Sequence, residues 1–554
     1  MNFKLSNLVA ATLAGSMLMG FGVNAMADST TDIVNALVSK GVLTEEEGAL
    51  LTKGREGEQD AAAAKKLTTP SVKEKDGAFS LASGDGKNSI ALTGRLHFDA
   101  RASDMNDFGG ATADTAYPYS ADTDTKSVGD HFKVRRARIG VKGRIGGIAD
   151  YLLQGNITGS NTLDEAYLDV NKYEPLGLKF GKFKVPYGLE QQTSSNNIDF
   201  IERSYVDQNA PAKKMGAMLH GEVKGFTYQG SVFQNNDDAQ SQRDDNISYA
   251  GRLTTNLAEF MGNKDAVLHL GLAGYNSEYE LTPTTSSNTS KAPSGTTKAT
   301  MFAFTSGGGG LQNAMRAQIG GESLGSAGTA YNTASPSTAK VENHAAALEG
   351  IAAYNNFKLQ GEYSSAFYKG TSAAPGKLDT IQADVDTWYA EALWIITGEK
   401  YADFYKKGAF GSLKPKSEFN MDTGTGYGLW ELGFRVDAFD VGNTSLVQNT
   451  GSSDRTRFQG PLSTINDSAV SCISKSAGST ACNGVKAGAT SYTGGIKWVW
   501  NPNMMFKASY THTKFDHAFA PMDVGDSATG GRTTDTLKMI DHENILMVRG
   551  QYSF

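Results

Sequence analysis

From Asn88 to the C-terminus, apolar and polar residues alternate with a period of two, and the charges keep to one parity. In NSIALTGRLHFDAR (88–101), Ile90, Leu92, Leu96 and Phe98 share one face, while Thr93, Arg95, His97, Asp99 and Arg101 share the other. Side chains of a strand point alternately to its two faces, so this segment is apolar on one side and ionised on the other. The pattern recurs in GYGLWELGFRVDAFD, where Trp430, Leu432, Phe434, Val436 and Ala438 oppose Glu431, Arg435 and Asp437. In YTGGIKWVW, Ile496, Trp498 and Trp500 oppose Thr493 and Lys497; in MMFKASYTHTKF, Phe506, Ala508 and Tyr510 oppose Lys507, Ser509 and Thr511. The last ten residues, ILMVRGQYSF, set Leu546, Val548, Tyr552 and Phe554 against Arg549, Gln551 and Ser553.

In a soluble sandwich the apolar parity would face a core and the polar parity would face water. A membrane barrel inverts this arrangement, with apolar side chains toward lipid and polar ones toward a lumen. About a dozen residues tilted ~40–45° span roughly 28 Å, which matches the ~25 Å apolar band of an outer membrane. Trp388, Trp394, Trp430, Trp498, Trp500 and Phe554 fall near segment ends, as an interfacial girdle requires. Sixteen segments qualify: 88–101, 131–145, 148–159, 162–172, 176–184, 214–224, 225–235, 246–257, 266–277, 342–356, 357–368, 384–397, 426–440, 490–501, 503–515 and 541–554. The expected fold is all-β, a transmembrane antiparallel barrel of about sixteen strands, preceded by a short helical segment. The inserts 102–130, 278–341, 441–489 and 516–540 fall on one side. The 28-residue connection 398–425 falls on the other, where turns should be short, and is the place where a further strand pair could hide.

Residues 1–27 read as a signal peptide: Lys4, an uncharged apolar run from Leu8 to Val23, and the small-x-small site Ala25-Met26-Ala27. Beyond them no run reaches the ~20 apolar residues of a spanning helix. Lys4 is the only charge removed with them, so the formal net charge of -7 becomes -8, which argues against a nucleic-acid partner. Residues 28–53 form a periplasmic helical or coiled-coil stub, with Thr44 and Glu47 spaced as a capping box. Residues 54–87 are a linker, and 88–554 are the barrel. The two cysteines, Cys472 and Cys482, lie ten residues apart in a Ser/Gly-rich loop of an exported chain and are expected to form a local disulfide.

The densest basic run is HFKVRRARIGVKGR. Alternation fails between Arg135 and Arg136, so a bulge is expected there, with several guanidinium groups directed into the lumen. The basic candidates for the pore lining are Arg95, Arg135, Arg136, Arg138, Arg252, Arg435, Lys497, Lys507 and Arg549. Lumen-side acids are nearly as numerous: Asp99, Glu165, Asp169, Glu222, Glu362, Glu391, Glu431 and Asp437. Parity alone therefore leaves the sign of the pore open. No catalytic residue, cofactor or metal site is expected. Gly321-Glu322-Ser323-Leu324-Gly325 lacks the strand and helix that a nucleophile elbow needs, the Gly307–Gly310 run lacks a phosphate-loop lysine, and His512 with His517 lacks a third ligand. Asp104, Asp107, Asp122 and Asp124 read as solvated loop acids.

FKVRRARIGVKG, LDEAYLDV, LKFGKFKVPYGLE, NNIDFIERS and YKKGAFGSLKP followed by GLWELGFRVDAFDV resemble, in order and spacing, the phosphate- and polyphosphate-selective porins of Gram-negative outer membranes. The similarity runs over roughly 90–554, apart from the inserts 278–341 and 441–489. It implies a homotrimer of sixteen-stranded barrels, each constricted by an inward-folded third loop. Here that loop is about 185–213, and its candidates are Glu190, Asp199, Glu202, Arg203, Asp207, Lys213 and Lys214. The resemblance implies an arginine ladder, for which Arg135 and Arg136 occupy matching positions. It also implies constriction lysines, and on this count the loop departs from the pattern. Arg203 is the one cation between Glu190 and Ala212, so a general or weakly selective channel is expected.

The function expected is an outer-membrane porin for passive diffusion of small hydrophilic solutes and ions, anions such as phosphate being candidates. Its partners would be outer-membrane lipid, two further copies of itself and the solutes. The rival reading is a surface or adhesive protein that uses the barrel as an anchor and the long loops as contact surfaces.

Overall fold

A computed structural model describes residues 34–35, 37–50, 52–53, 68–75, 78–104, 130–158, 163–235, 246–281, 298–312, 314–320, 338–374, 377–447, 456–464, 471–472, 482–519 and 539–554. The signal peptide, residues 54–67 and 76–77 of the expected linker, the 321–325 motif, Asp107, Asp122 and Asp124 lie outside these residues. The described part of the linker is not featureless but holds two short strands, Ser71–Lys75 and Ala78–Ala82.

Sixteen strands form a closed antiparallel barrel. They are β1 (Ser89–Ser103), β2 (His131–Ile145), β3 (Ala149–Asn156), β4 (Leu163–Tyr173), β5 (Leu176–Lys184), β6 (Lys213–Val223), β7 (Phe226–Gln234) and β8 (Ser248–Asn256). They continue as β9 (Ala266–Leu281), β10 (Thr338–Tyr354), β11 (Phe357–Ala374), β12 (Lys377–Ile395), β13 (Leu429–Val447), β14 (Ala487–Val499), β15 (Met504–Phe519) and β16 (Ile540–Ser553). Each strand pairs with its sequence neighbour, and β16 closes on β1 with Arg549 opposite Asp99 and Tyr552 opposite Leu96. Closure leaves no sheet edge with unpaired backbone groups, which a hydrocarbon environment forbids.

The alternation places residues as expected. On β1, Leu92, Leu96 and Phe98 are exposed on the outer surface, while His97, Asp99 and Arg101 are buried on the inside. At the turn end, Phe357 stacks on Trp394 (ring centroids 5.7 Å apart) and Trp430 on Trp498 (5.1 Å), forming part of an outward aromatic girdle. Val134 and Ile139 are both outward, and their odd separation requires a break in the alternation between them. That break lets Arg135 and Arg136 both face inward.

The strands β9–β13 run past the ends assigned from alternation, because the alternation inverts at their loop ends. On β12, Trp394, Ala392, Ala390 and Trp388 face outward and are followed on the same parity by Asp386 and Asp384; inward, Val385, Ala383 and Ile381 are fully buried. The outer face turns polar where it leaves the bilayer, and the inner face turns apolar because something covers it. The cover is a small sheet in which Lys298–Phe304 pairs with Met315–Gly320, that strand with Arg457–Gln459, and that in turn with Ser471–Cys472. Two loops far apart in sequence thus share one cap. Cys472 and Cys482 are disulfide-bonded and buried within its hydrophobic cluster, beside Phe304, Phe439 and Phe458.

The connection 398–425 contains no hidden pair of barrel strands. It holds a 3₁₀ turn (Tyr401–Phe404) and a minimal hairpin of Tyr405–Lys406 and Ala409–Phe410, which folds back into the turn end of the lumen. Within the N-terminal unit, Thr44 and Glu47 form the reciprocal capping box: Glu47 N–H donates to Thr44 Oγ1 (3.2 Å) and Thr44 N–H to Glu47 Oε2 (2.9 Å).

Candidate functional site: a constriction inside the barrel

The 185–212 connection between β5 and β6 folds into the lumen instead of out over the rim. Its apolar residues cause this. Val185, Tyr187, Leu189, Ile201, Tyr205 and Val206 are almost completely buried against the inner wall, in a segment that would otherwise sit in water. It contains two single-turn helices, α1 (Leu189–Gln192) and α2 (Tyr205–Gln208). The chain enters α1 through Gly188 at φ 71°, where a Cβ would also lie 3.2 Å from Glu362 Oε2.

Each acid of the loop is engaged by a cation. Glu202 accepts from Arg135 Nε (2.9 Å) and Nη2 (3.2 Å) and from Arg549 Nη2 (2.9 Å). Asp199 lies between Lys358 (2.8 Å) and Lys497 (3.2 Å), Glu190 meets Arg435 (3.4 Å), and Asp207 pairs with Arg203 (3.0 Å). Burial alone would raise the carboxyl of Glu202, but Arg135, Arg549 and Arg136 outweigh it and hold the group well below the usual carboxylate range. Burial pushes Glu190 up to about 6, with Arg435 opposing.

The nine basic candidates therefore divide. Arg252, Arg435, Lys497, Lys507 and Arg549 face inward as parity requires, yet they are covered. Arg549 is chelated by Asp99 (2.6 and 2.8 Å) and donates to Ile201 O, and Lys507 donates to Ile198 O (2.5 Å). Arg252 holds Glu349 (2.8 Å) and donates to Gly408 O of the folded-in 398–425 segment (2.8 Å). These residues hold inserted chain, and Arg135 shares that work through Glu202. Lys358 belongs with them and was missed by reading charges in the strongest alternating runs; it lies over Phe410 (4.3 Å) as well as beside Asp199.

Arg95, Arg136 and Arg138 instead line an open cavity of about 500 Å³ between β1–β6 and the constriction loop. Lys182, Lys184, Arg203, Lys213 and Lys214 complete its cations, against Asp164, Glu165 and Asp207. Eight cations face three carboxylates, so the wall is net positive. Arg138 and Lys213 both contact Asp164, at 2.9 and 2.5 Å. Arg136 Nη1, Arg95 Nε and Arg138 Nε are buried donors with no hydrogen-bond acceptor among the described residues. Lys182 and Lys184, on alternate positions of β5 in LKFGKFK, could have been found by extending the parity rule to that strand. Among the described residues no cluster of His, Cys, Asp and Glu could hold a metal ion.

A closed barrel with an apolar exterior, an ionised interior and a folded-in constriction defines a β-barrel channel protein of the bacterial outer membrane. The family model "Phosphate-selective porin O and P" matches residues 110–552, and the chain belongs to that family. It is 26% identical over 400 residues to Porin O of Pseudomonas aeruginosa, covering 68% of this chain and 78% of that protein. Among solved structures it is similar to OmpT of Vibrio cholerae (8% identity, 84% of this chain and 98% of that one, TM-score 0.40). It is also similar to an anion-selective porin from Comamonas acidovorans (10% identity, 84% and 100%, TM-score 0.37). The protein is a solute channel of the outer membrane and not an enzyme.

Proposed function

We propose that this channel prefers anions, phosphate-class oxyanions among them, and conducts them along the β1–β6 wall. The carrying observation is the segregation of charge. The acids that make the constriction loop look acidic in sequence are engaged by cations, and the remaining cavity presents eight cations to three carboxylates. The guanidinium groups of Arg95, Arg136 and Arg138 in the cavity lining suit a passing oxyanion, since charge-assisted and bidentate bonds offset the loss of its hydration. Family membership supports a homotrimer, and the outward apolar belt supports contact with outer-membrane lipid. The turn end of the barrel then lies in the periplasm, and export removes residues 1–27.

The test is planar-bilayer conductance of the purified protein: reversal potential in a KCl gradient, then titration with phosphate. Ohmic steps with an anion-selective reversal potential and block by phosphate are the expected result. A cation-selective reversal potential would overturn the reading.

A further inference from the structure

We propose that Tyr205 is a positioning residue that locks the constriction loop to the cap, and that this lock keeps the channel open under voltage. The inference uses the channel function and does not depend on the ion preferred.

α2 has one turn, and its N-cap, Ser204, makes no side-chain capping bond to it, so it has little means of holding itself in place. Its first residue, Tyr205, is fully buried. The Tyr205 hydroxyl bonds Ser491 Oγ on β14 (2.9 Å) and accepts from the backbone N–H of Gly307 in the cap (2.9 Å). Its ring meets Phe304 of the cap edge-on (centroids 5.9 Å apart) and Phe439 of β13 (5.0 Å), and those two rings stack on each other at 4.6 Å. One turn further, Gln208 and Thr305 exchange two bonds, Nε2 to the Thr305 carbonyl (3.0 Å) and Thr305 N–H to Oε1 (2.7 Å). The cap is shaped for this contact: a Cβ on Gly307 would lie 2.2 Å from Ser491 Oγ, and Gly308 takes a φ of 67°. Tyr205 itself does not line the open cavity.

The cap is built from strands of two inserts, 278–341 and 441–489. Their placement gives them a task that the barrel alone leaves undone. A loop spanning a lumen opens locally where its anchors are lost, and the membrane field pulls on the ionised Asp199 and Glu202 that it carries. Anchoring α2 to the cap removes that freedom without touching the conducting wall.

The experiment compares single-channel records of wild type, Tyr205→Phe and Gly307→Ala in planar bilayers at stepped voltages. Tyr205→Phe keeps the ring and loses both hydroxyl bonds; Gly307→Ala pushes the cap away from the same point. Expected are closure at roughly half the wild-type voltage and noisier open states in each variant, with no further change in the double variant. Unitary conductance and reversal potential should stay at wild-type values, which separates a positioning role from a place on the conduction path. Unchanged closure in Tyr205→Phe would overturn the proposal, as would a shifted reversal potential. Should Gly307→Ala fail to assemble, the near-isosteric Tyr205→Phe decides alone.

Discussion

The two halves of the barrel wall carry the same kind of charged alternation and put it to different uses. On the side of β2–β7, strands of mostly 8–11 residues leave several inward cations partly accessible: the side chains of Arg135, Arg138 and Lys213 are 36, 16 and 18% exposed. On the side of β9–β16, strands of 13–19 residues meet inserted chain, and Lys358, Arg435 and Lys497 are 2, 1 and 3% exposed. An inward arginine is a pore residue only where nothing covers it. The tall half works as the socket for the constriction loop, the cap and the 398–425 segment, and the low half is left for the conduction path proposed above.

The sharpest way to break this comparison is to reverse charge on the low wall. Replacing Arg136 and Arg138 by Glu takes the cavity from a net of five positive charges to one. The anion-to-cation permeability ratio should fall roughly tenfold, read from the reversal potential in a salt gradient. Lys497→Met, on the tall wall, should leave that ratio near wild type, and a large shift there would mean that both halves conduct.

Stability should respond in the opposite order. Arg549→Ala leaves the buried Asp99 without its chelator and Glu202 with one partner fewer, and should cost about 3–5 kcal/mol in urea unfolding of detergent-solubilised protein. Arg138→Ala, on the more accessible wall, should cost about 1–2 kcal/mol, since Asp164 keeps Lys213 as a partner. Equal costs would show that the low wall is also packed. Within the tall half, Cys472→Ser with Cys482→Ser should loosen the cap by about 2–3 kcal/mol, seen as proteolysis of the cap before any loss of the barrel.

The fold was readable because a membrane barrel writes itself as period-two alternation: all sixteen segments coincide with strands, and the break at Arg135–Arg136 falls where the alternation fails. The ends of β9–β13 were not readable from the same rule. Outward Asp384 and Asp386 with inward Ile381, Ala383 and Val385 reverse the pattern the rule follows, and the reason lies in a cap whose strands come from two separate loops. The site was half readable. Parity pointed Arg252 and Lys497 inward as correctly as Arg95 and Arg138, but whether an inward cation meets solvent or a buried carboxylate depends on contacts such as Lys497–Asp199, 298 residues apart. The loop's apparent acidity misled for the same reason, since its neutralising partners lie on strands distant in sequence.

Two glutamates twelve residues apart in the constriction loop sharpen the comparison at its smallest scale. Glu202 sits against the seam of the low wall, where Arg135 and Arg549 overcome burial and hold it below its ordinary 4.5. Its native carboxylate is therefore favoured: it adds stability above about pH 4.5 that is lost as the pH falls through its depressed value. Glu190 faces the tall wall, where burial dominates over Arg435 and raises it to about 6. The sign reverses there, because the native state binds the proton more tightly than the unfolded chain. Glu190 favours the fold below about pH 4.5, and up to ~2 kcal/mol of that is lost as the pH rises through 6. Between pH 4.5 and 7, then, urea midpoints should drift downward with rising pH through Glu190. The Glu190→Gln variant, whose amide oxygen can still accept from Ser204, should flatten that drift. A drift that survives in Glu190→Gln would mean that the tall wall stabilises this carboxylate as well as the low wall stabilises Glu202.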